Sequence, residues 1–267
     1  MAQTLSLPGR DSSRPLRLTS AFLINVPTLR AILITDPLIA LATALMGTVS
    51  LLVSLFDSTG RAQHSVARGW SRMLLAIGGV KVRVEGLEKI HGLTSCVLVS
   101  DHMSLMDTPV VLAFIPLQFR FLAKKGLFKI PFIGYHLHRA GHIPVHRGNA
   151  RASLKTMAEA AQIVRDREVS VLVFPEGGRS PGPLREFKEG AAYIAIKSGA
   201  PAVPVGISGT REVLPMGSVV VRGGEARLRI GDPIPTKGLT LHDRGALTAQ
   251  LRERVAELMG QPVHSEK

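Results

Sequence analysis

Apolar residues follow two regimes along this chain. Up to residue 56 they run together, and beyond residue 80 they alternate with polar residues or recur in short blocks. Ala21–Ile34 is apolar except for Asn25 and Arg30. After Asp36-Pro37, Leu38–Phe56 continues for nineteen residues without a charge. That is long enough to span a hydrocarbon core of about 30 Å. Asp-Pro is a turn signal, so three arrangements stay open: a single span over 38–56, a helical hairpin of 21–34 and 38–56 lodged in one leaflet, and a buried hairpin in a soluble core. Arg61, Arg68 and Arg72 follow the segment, while Arg10, Arg14, Arg17 and Arg30 precede it. Counting basic flanks therefore does not decide orientation, although a hairpin places both flanks on one face. The late start, the length and the lack of a small-residue cleavage site do not fit a cleaved signal peptide. Residues 1–20, with three arginines among Ser, Pro and Gly, read as a flexible basic tail.

The second regime begins with an amphipathic helix over 63–78, where Val66, Trp70, Met73, Leu74 and Ile77 share a face and Gly78-Gly79 ends it. Val80–Glu85 alternates with period two, as a half-buried strand does. Cys96–Ser100, Phe119–Ala123, Val169–Phe174, Ala202–Ile207, Val219–Arg222 and Ala226–Ile230 read as further strands. Val169–Phe174 is nearly all apolar and suits the middle of a sheet covered on both faces. Helices are expected over 151–167, over 187–198 before Gly199, and after Thr240, which stands at capping-box spacing from Asp243. Strands alternating with helices imply an α/β domain over 61–267, following a membrane-anchoring helical segment or hairpin over 21–60. Deleting residues 1–60 is expected to leave a domain soluble without detergent.

Charge and composition narrow the partners. Lys and Arg exceed Asp and Glu by 33 to 20, a net charge of +13, which favours nucleic acid, an anionic membrane or a phosphorylated substrate. Aromatic residues are only 4% of the chain, too few for a platform that stacks single-stranded bases. Cys96 is the sole cysteine, so there is neither an intrachain disulfide nor a cysteine metal cluster. His136, His138, His142 and His146 lack a carboxylate in a recognised ligand spacing, and no metal site is expected.

Candidate chemistry collects at strand ends. His102 stands in the turn after Cys96–Ser100, with Asp107 five residues on. A histidine there has a pKa suited to general-base work, and a carboxylate beside it fixes the tautomer. Ser104 and Asp107 fit a capping box for the next helix, with Asp107 itself as an alternative cap. Phe174-Pro-Glu-Gly-Gly-Arg-Ser180 follows the most apolar strand. In it Gly177 and Gly178 permit close backbone approach, Arg179 offers a planar fork for phosphate, and Glu176 offers an acceptor for a hydroxyl or a basic group. Gly141–Gly148 carries Arg147, a candidate phosphate ligand. Val203–Ile207 reads as a wall, and Lys124-Lys125 as cations available to an anion.

In this order and spacing, His102…Asp107, Gly141…Arg147, Phe174–Ser180 and Val203–Ile207 resemble the glycerolipid acyltransferase family, whose best-known member acts on 1-acylglycerol-3-phosphate. The likeness extends through Ala123–Pro131, Gly182, Leu184 and Phe187–Gly190, and covers about residues 66–232. It departs where the family usually has Thr and here stands Gly178, where an acid common before the second-motif arginine is His146, and where Lys-Lys-Glu is Lys124-Lys125-Gly126. The resemblance implies a mixed central sheet flanked by helices. It implies a fatty acyl transfer from acyl-CoA or acyl carrier protein to the sn-2 hydroxyl of 1-acylglycerol-3-phosphate, giving phosphatidic acid, at a cytoplasm-facing membrane site and with no cofactor. It assigns His102 as base, Asp107 as its orienting partner, and Arg147, Glu176, Gly177, Gly178, Arg179 and Lys124 to substrate binding. Neither Cys96 nor Ser104 is expected to carry an acyl group. The competing readings are another lysolipid acceptor, such as a lyso-ornithine lipid, and a non-catalytic basic protein of membrane surfaces or nucleic acid.

Overall fold

The computed structural model describes residues 26–130, 133–146, 150–179 and 182–261. The basic tail and Arg147 lie outside them. The first described element is a continuous helix in three parts: α1 (Val26–Arg30), a wider π turn (Ala31–Thr35) and α2 (Asp36–Val53). The hairpin read into Asp36-Pro37 is absent among the described residues. The Asp36 amide reaches back five residues to the Ala31 carbonyl, and that wider turn gives the Pro37 ring room where an α turn would clash. Pro37 follows as the second residue of α2, where its fixed φ suits the helix and only one backbone donor is lost. Thr28–Val53 is long and apolar enough to cross a membrane.

Next come α3 (Arg61–Ile77), β1 (Val80–Glu85), β2 (Val97–Ser100), α4 (Asp107–Phe114) and β3 (Phe119–Lys124). A 3-10 turn (Lys125–Lys129) leads to α5 (Ile133–Arg139), β4 (Ile143–Val145), α6 (Ala150–Arg167), β5 (Ser170–Val173) and α7 (Gly190–Ser198). The last described elements are β6 (Ala202–Ser208), the single turn α8 (Thr210–Val213), β7 (Gly224–Ile230) and α9 (Arg244–Met259). Thr240 and Asp243 form the expected capping box.

Among the described residues seven strands form the sheet, in the order β1-β7-β6-β2-β5-β3-β4. Every neighbouring pair is parallel except β6–β7, so the sheet is mixed, as the resemblance implied. Alternation along β2 and β5 divides the core between two faces. Leu98 and Leu172 pack with Leu74, Leu75 and Val110 from α3 and α4. Val97, Val99, Val171 and Val173 pack with α6, α7 and α9 through Ala161, Ala192 and Leu251. Burial on both faces explains why these strands read as unbroken apolar blocks.

The strand expected over Val219–Arg222 is a loop. β7 already pairs on both edges, with β1 and β6, so no ladder remains beside it. The loop instead straps the helix start to the domain: the Val221 amide donates to Asp36 at 3.3 Å.

Candidate active site

Parallel pairing of β2 with both β5 and β6 sets the ends of three strands side by side. Such carboxyl ends are where open α/β sheets place ligands. Ser100, Val173 and Ser208 finish these strands, and the polar residues just beyond each converge.

His102 projects from the turn after β2, its side chain 17% exposed. Its Nδ1 lies 2.9 Å from Asp107 Oδ2. That carboxylate oxygen also accepts the Met103 and Ser104 amides, both at 2.8 Å. With two N–H groups donating to the same oxygen, the third partner is Nδ1–H, which leaves Nε2 as the basic nitrogen. The imidazole stacks on Phe174, centroids 4.1 Å apart and planes 16° apart. Two contacts thus hold the ring, the carboxylate and the Phe174 face, and the same carboxylate fixes the backbone of the turn.

Glu176 supports that backbone. Its Oε1 accepts the His102 amide at 3.0 Å and its Oε2 the Arg185 amide at 3.1 Å. Its role in the structure is therefore to tie the two loops together. Gly177, with φ +74°, makes the turn possible, and a side chain there would meet the Lys188 ammonium. Arg185 braces the turn through the carbonyls of Gly178 and Arg179, at 2.8 and 3.0 Å. Arg179 is half-buried on this turn. Lys124, exposed at the end of β3, is carried to the same edge of the sheet by parallel pairing of β3 with β5.

Three contributors escaped the sequence reading. Thr210 donates to Asp107 Oδ1 at 2.5 Å, so the carboxylate is held from both oxygens. Arg211 reaches the Gly182 carbonyl at 2.9 Å and Met103 Sδ at 3.5 Å. Asp101 is fully buried and accepts the Ile207 amide at 2.8 Å, while its second oxygen meets no described partner. Burial, reinforced by the charges of Asp107 and Glu176, holds its carboxyl well above the usual range. A polar run, Ser208 to Glu212, directly after the apolar Ala202–Ile207 was the available signal for Thr210.

The helix after the turn begins at Asp107, and the expected capping box forms by half. Asp107 accepts the Ser104 amide, but the Ser104 hydroxyl accepts from Met106 at 3.1 Å and donates to the Leu214 carbonyl at 2.8 Å. With its proton committed to a carbonyl, Ser104 is a poor nucleophile. Cys96 is fully buried, and burial pushes its thiol up to about 11. Among the described residues no three or more His, Cys, Asp or Glu side chains are grouped to hold a metal ion.

The arrangement is a base with a fixed tautomer, beside a glycine-opened cationic turn. Residues 81–208, which hold His102, Asp107, Phe174 and Glu176, match the family profile described as Acyltransferase. A solved structure of the 1-acyl-sn-glycerophosphate acyltransferase PlsC from Thermotoga maritima superposes with a TM-score of 0.72 at 27% identity, over 88% of this chain and 95% of that one. The chain belongs to the glycerolipid acyltransferase family. A family relative from Brassica napus, the chloroplastic 1-acyl-sn-glycerol-3-phosphate acyltransferase BAT2, is 34% identical over 80% of this chain and 61% of its own. The human 1-acyl-sn-glycerol-3-phosphate acyltransferase alpha is 30% identical over 65% and 62%. The chain thus spans about three fifths of the length of these curated relatives. Three of the family motifs are tied together around His102: its own turn, Phe174 and Glu176 beyond β5, and the end of β6, whose Ile207 amide donates to the neighbouring Asp101.

Proposed function

We propose that this protein transfers a fatty acyl group from a thioester, acyl-CoA or acyl carrier protein, to the sn-2 hydroxyl of 1-acylglycerol-3-phosphate, forming phosphatidic acid. The observation that carries the reading is His102 Nδ1 bonded to Asp107 Oδ2, with Nε2 open at the sheet edge where the motifs meet. Nε2 takes the hydroxyl proton as that oxygen attacks the thioester carbonyl. The tetrahedral intermediate collapses, the C–S bond breaks, and the departing sulfur takes the proton back from Nε2. Asp107 offsets the positive charge on the imidazolium in between. Arg179, with Lys124 and Arg147, holds the acceptor phosphate, and Gly177-Gly178 let backbone approach it. No acyl-enzyme, metal or resident cofactor takes part.

The site works at a membrane. The long apolar helix is bound to the domain along its length. Asp36 meets the loop at Val221, Trp70 Nε1 donates to Thr43 at 3.1 Å, Ser50 meets His136 Nδ1 at 2.7 Å, and Arg139 donates to the Ser54 carbonyl. A helix held side-on in this way lies in one leaflet, with Leu41, Leu45 and Leu52 facing lipid, and the α/β domain faces the cytoplasm.

Purified full-length protein, given acyl-CoA or acyl carrier protein thioesters and a panel of lysolipids, is expected to acylate 1-acylglycerol-3-phosphate preferentially, as read by mass spectrometry. General-base catalysis contributes roughly 10²–10⁴ in rate, so His102→Ala is expected to lose at least that factor. A His102→Ala protein as active as wild type would remove the mechanism.

A further inference from the structure

Between Asp107 and Glu159 the chain carries no acidic residue, yet it holds eight lysines and arginines. The Lys125–Lys129 turn and α5 fall inside this stretch. Leu127, Ile130, Ile133 and Tyr135 are 40–50% exposed there. These side chains stand on a rigid base. A Cβ at the buried Gly134 would lie 2.2 Å from the Phe128 carbonyl oxygen, so the two short helices touch backbone to backbone. Phe128 meets His138 edge to face at 4.9 Å, which leaves the larger aliphatic groups pointing outward. Lys125 and Lys129 are exposed on the same turn.

The platform is joined to the end of the apolar helix by the Ser50–His136 bond and by Arg139 at the Ser54 carbonyl. Beyond Ser54 stand Leu55 and Phe56, exposed by 64% and 91%. Apolar surface therefore continues from the helix onto the α/β domain, with lysines around it and no acid in that stretch of sequence. Resting on the membrane reading above, we infer that the Lys125–Lys129 turn and α5 form a second bilayer-contacting surface, which takes an anionic phospholipid surface as its partner. Aliphatic side chains enter the headgroup boundary while the lysines pair with lipid phosphates. The contact fixes the domain's tilt, which a single helix lying in the interface leaves free to roll.

The only native thiol is buried and unreactive, so a single introduced cysteine can carry an environment-sensitive fluorophore in the full chain. The three sites are Ile133→Cys, Leu45→Cys on the outward side of α2, and Leu154→Cys on α6, on the opposite face of the sheet. Vesicles of phosphatidylcholine with phosphatidylglycerol are expected to brighten and blue-shift the dye at 133 and at 45 but not at 154. Pure phosphatidylcholine is expected to leave 133 much weaker. Each lysine at an anionic surface contributes roughly a fivefold factor in affinity, so Lys125→Gln with Lys129→Gln is expected to lower the response at 133 severalfold and spare that at 45. A silent dye at 133 beside a responsive one at 45 overturns the proposal, as does an equal response at 133 to neutral vesicles. Silence at both positions overturns the membrane reading itself.

Discussion

Asp107 has both oxygens occupied within the protein: three donors on Oδ2 and Thr210 on Oδ1. Removing the Thr210 hydroxyl leaves a buried acceptor unsatisfied, at a cost of about 1–3 kcal/mol. Thr210→Val is expected to lower the melting temperature and the acyl-transfer rate together, and Thr210→Ser to restore both. Asp101 works in the opposite direction. Its folded carboxyl titrates above the unfolded value, so folding binds a proton there, and stability falls as pH rises above the unfolded pKa. Asp101→Asn supplies a neutral group of the same shape. It is expected to melt higher than wild type at pH 8, with the gap closing toward pH 4. The His102–Asp107 pair was legible because five residues separate them. Thr210 was not, because it stands 103 positions from its partner and only the sheet order joins them.

Elements came out of the sequence where pattern and neighbours agree. β1, β2, β3, β5 and β6 carry their periodicity or their apolar blocks openly, and α3 and α9 carry amphipathic faces or a cap. The failures have separate causes. Asp-Pro signals a turn locally, yet a π turn lets the helix continue through it. Val219–Arg222 has strand composition but no free ladder edge. α5 and β4 are too short for any period to show. The junction before α5 depends on one glycine: with its missing Cβ 2.2 Å from the Phe128 oxygen, Gly134→Ala forces the two helices apart. Overpacking of that kind costs about 1–3 kcal/mol, to be read as a lowered melting temperature.

Across the whole molecule, charge and burial set the working pH. Burial, with Arg120 and Arg68 nearby, holds His64 down to about 4. Burial also lowers His136, and more strongly His142, whose Nδ1 accepts the Phe121 amide. These imidazoles fold neutral, so their contribution is complete above the ordinary histidine pKa of 6.5 and is lost as pH falls from there toward 4. Thermal melts from pH 7.5 to 4 are expected to show a steep loss over that interval, and His64→Gln to flatten it. Deleting residues 1–60 is now expected to yield an aggregating protein. Trp70 and the α3 face beneath α2 would be uncovered, and α3 would lose the Asp57 carboxylate that accepts the Thr59 and Ala62 amides. Size-exclusion chromatography without detergent distinguishes this from a monodisperse domain.

The central position of β2 also governs the order of assembly. Its two ladders join segments that are far apart in sequence, to β5 and to β6, and contacts of that range form slowly. A chain that has paired β2 with β5 already has His102, Phe174 and Glu176 together, but it lacks Thr210 on Asp107 and the Ile207 amide on Asp101. Such an intermediate would look largely folded by circular dichroism and would hold its base loosely. During refolding, recovery of turnover is therefore expected to lag recovery of secondary structure, with the lag marking the arrival of β6.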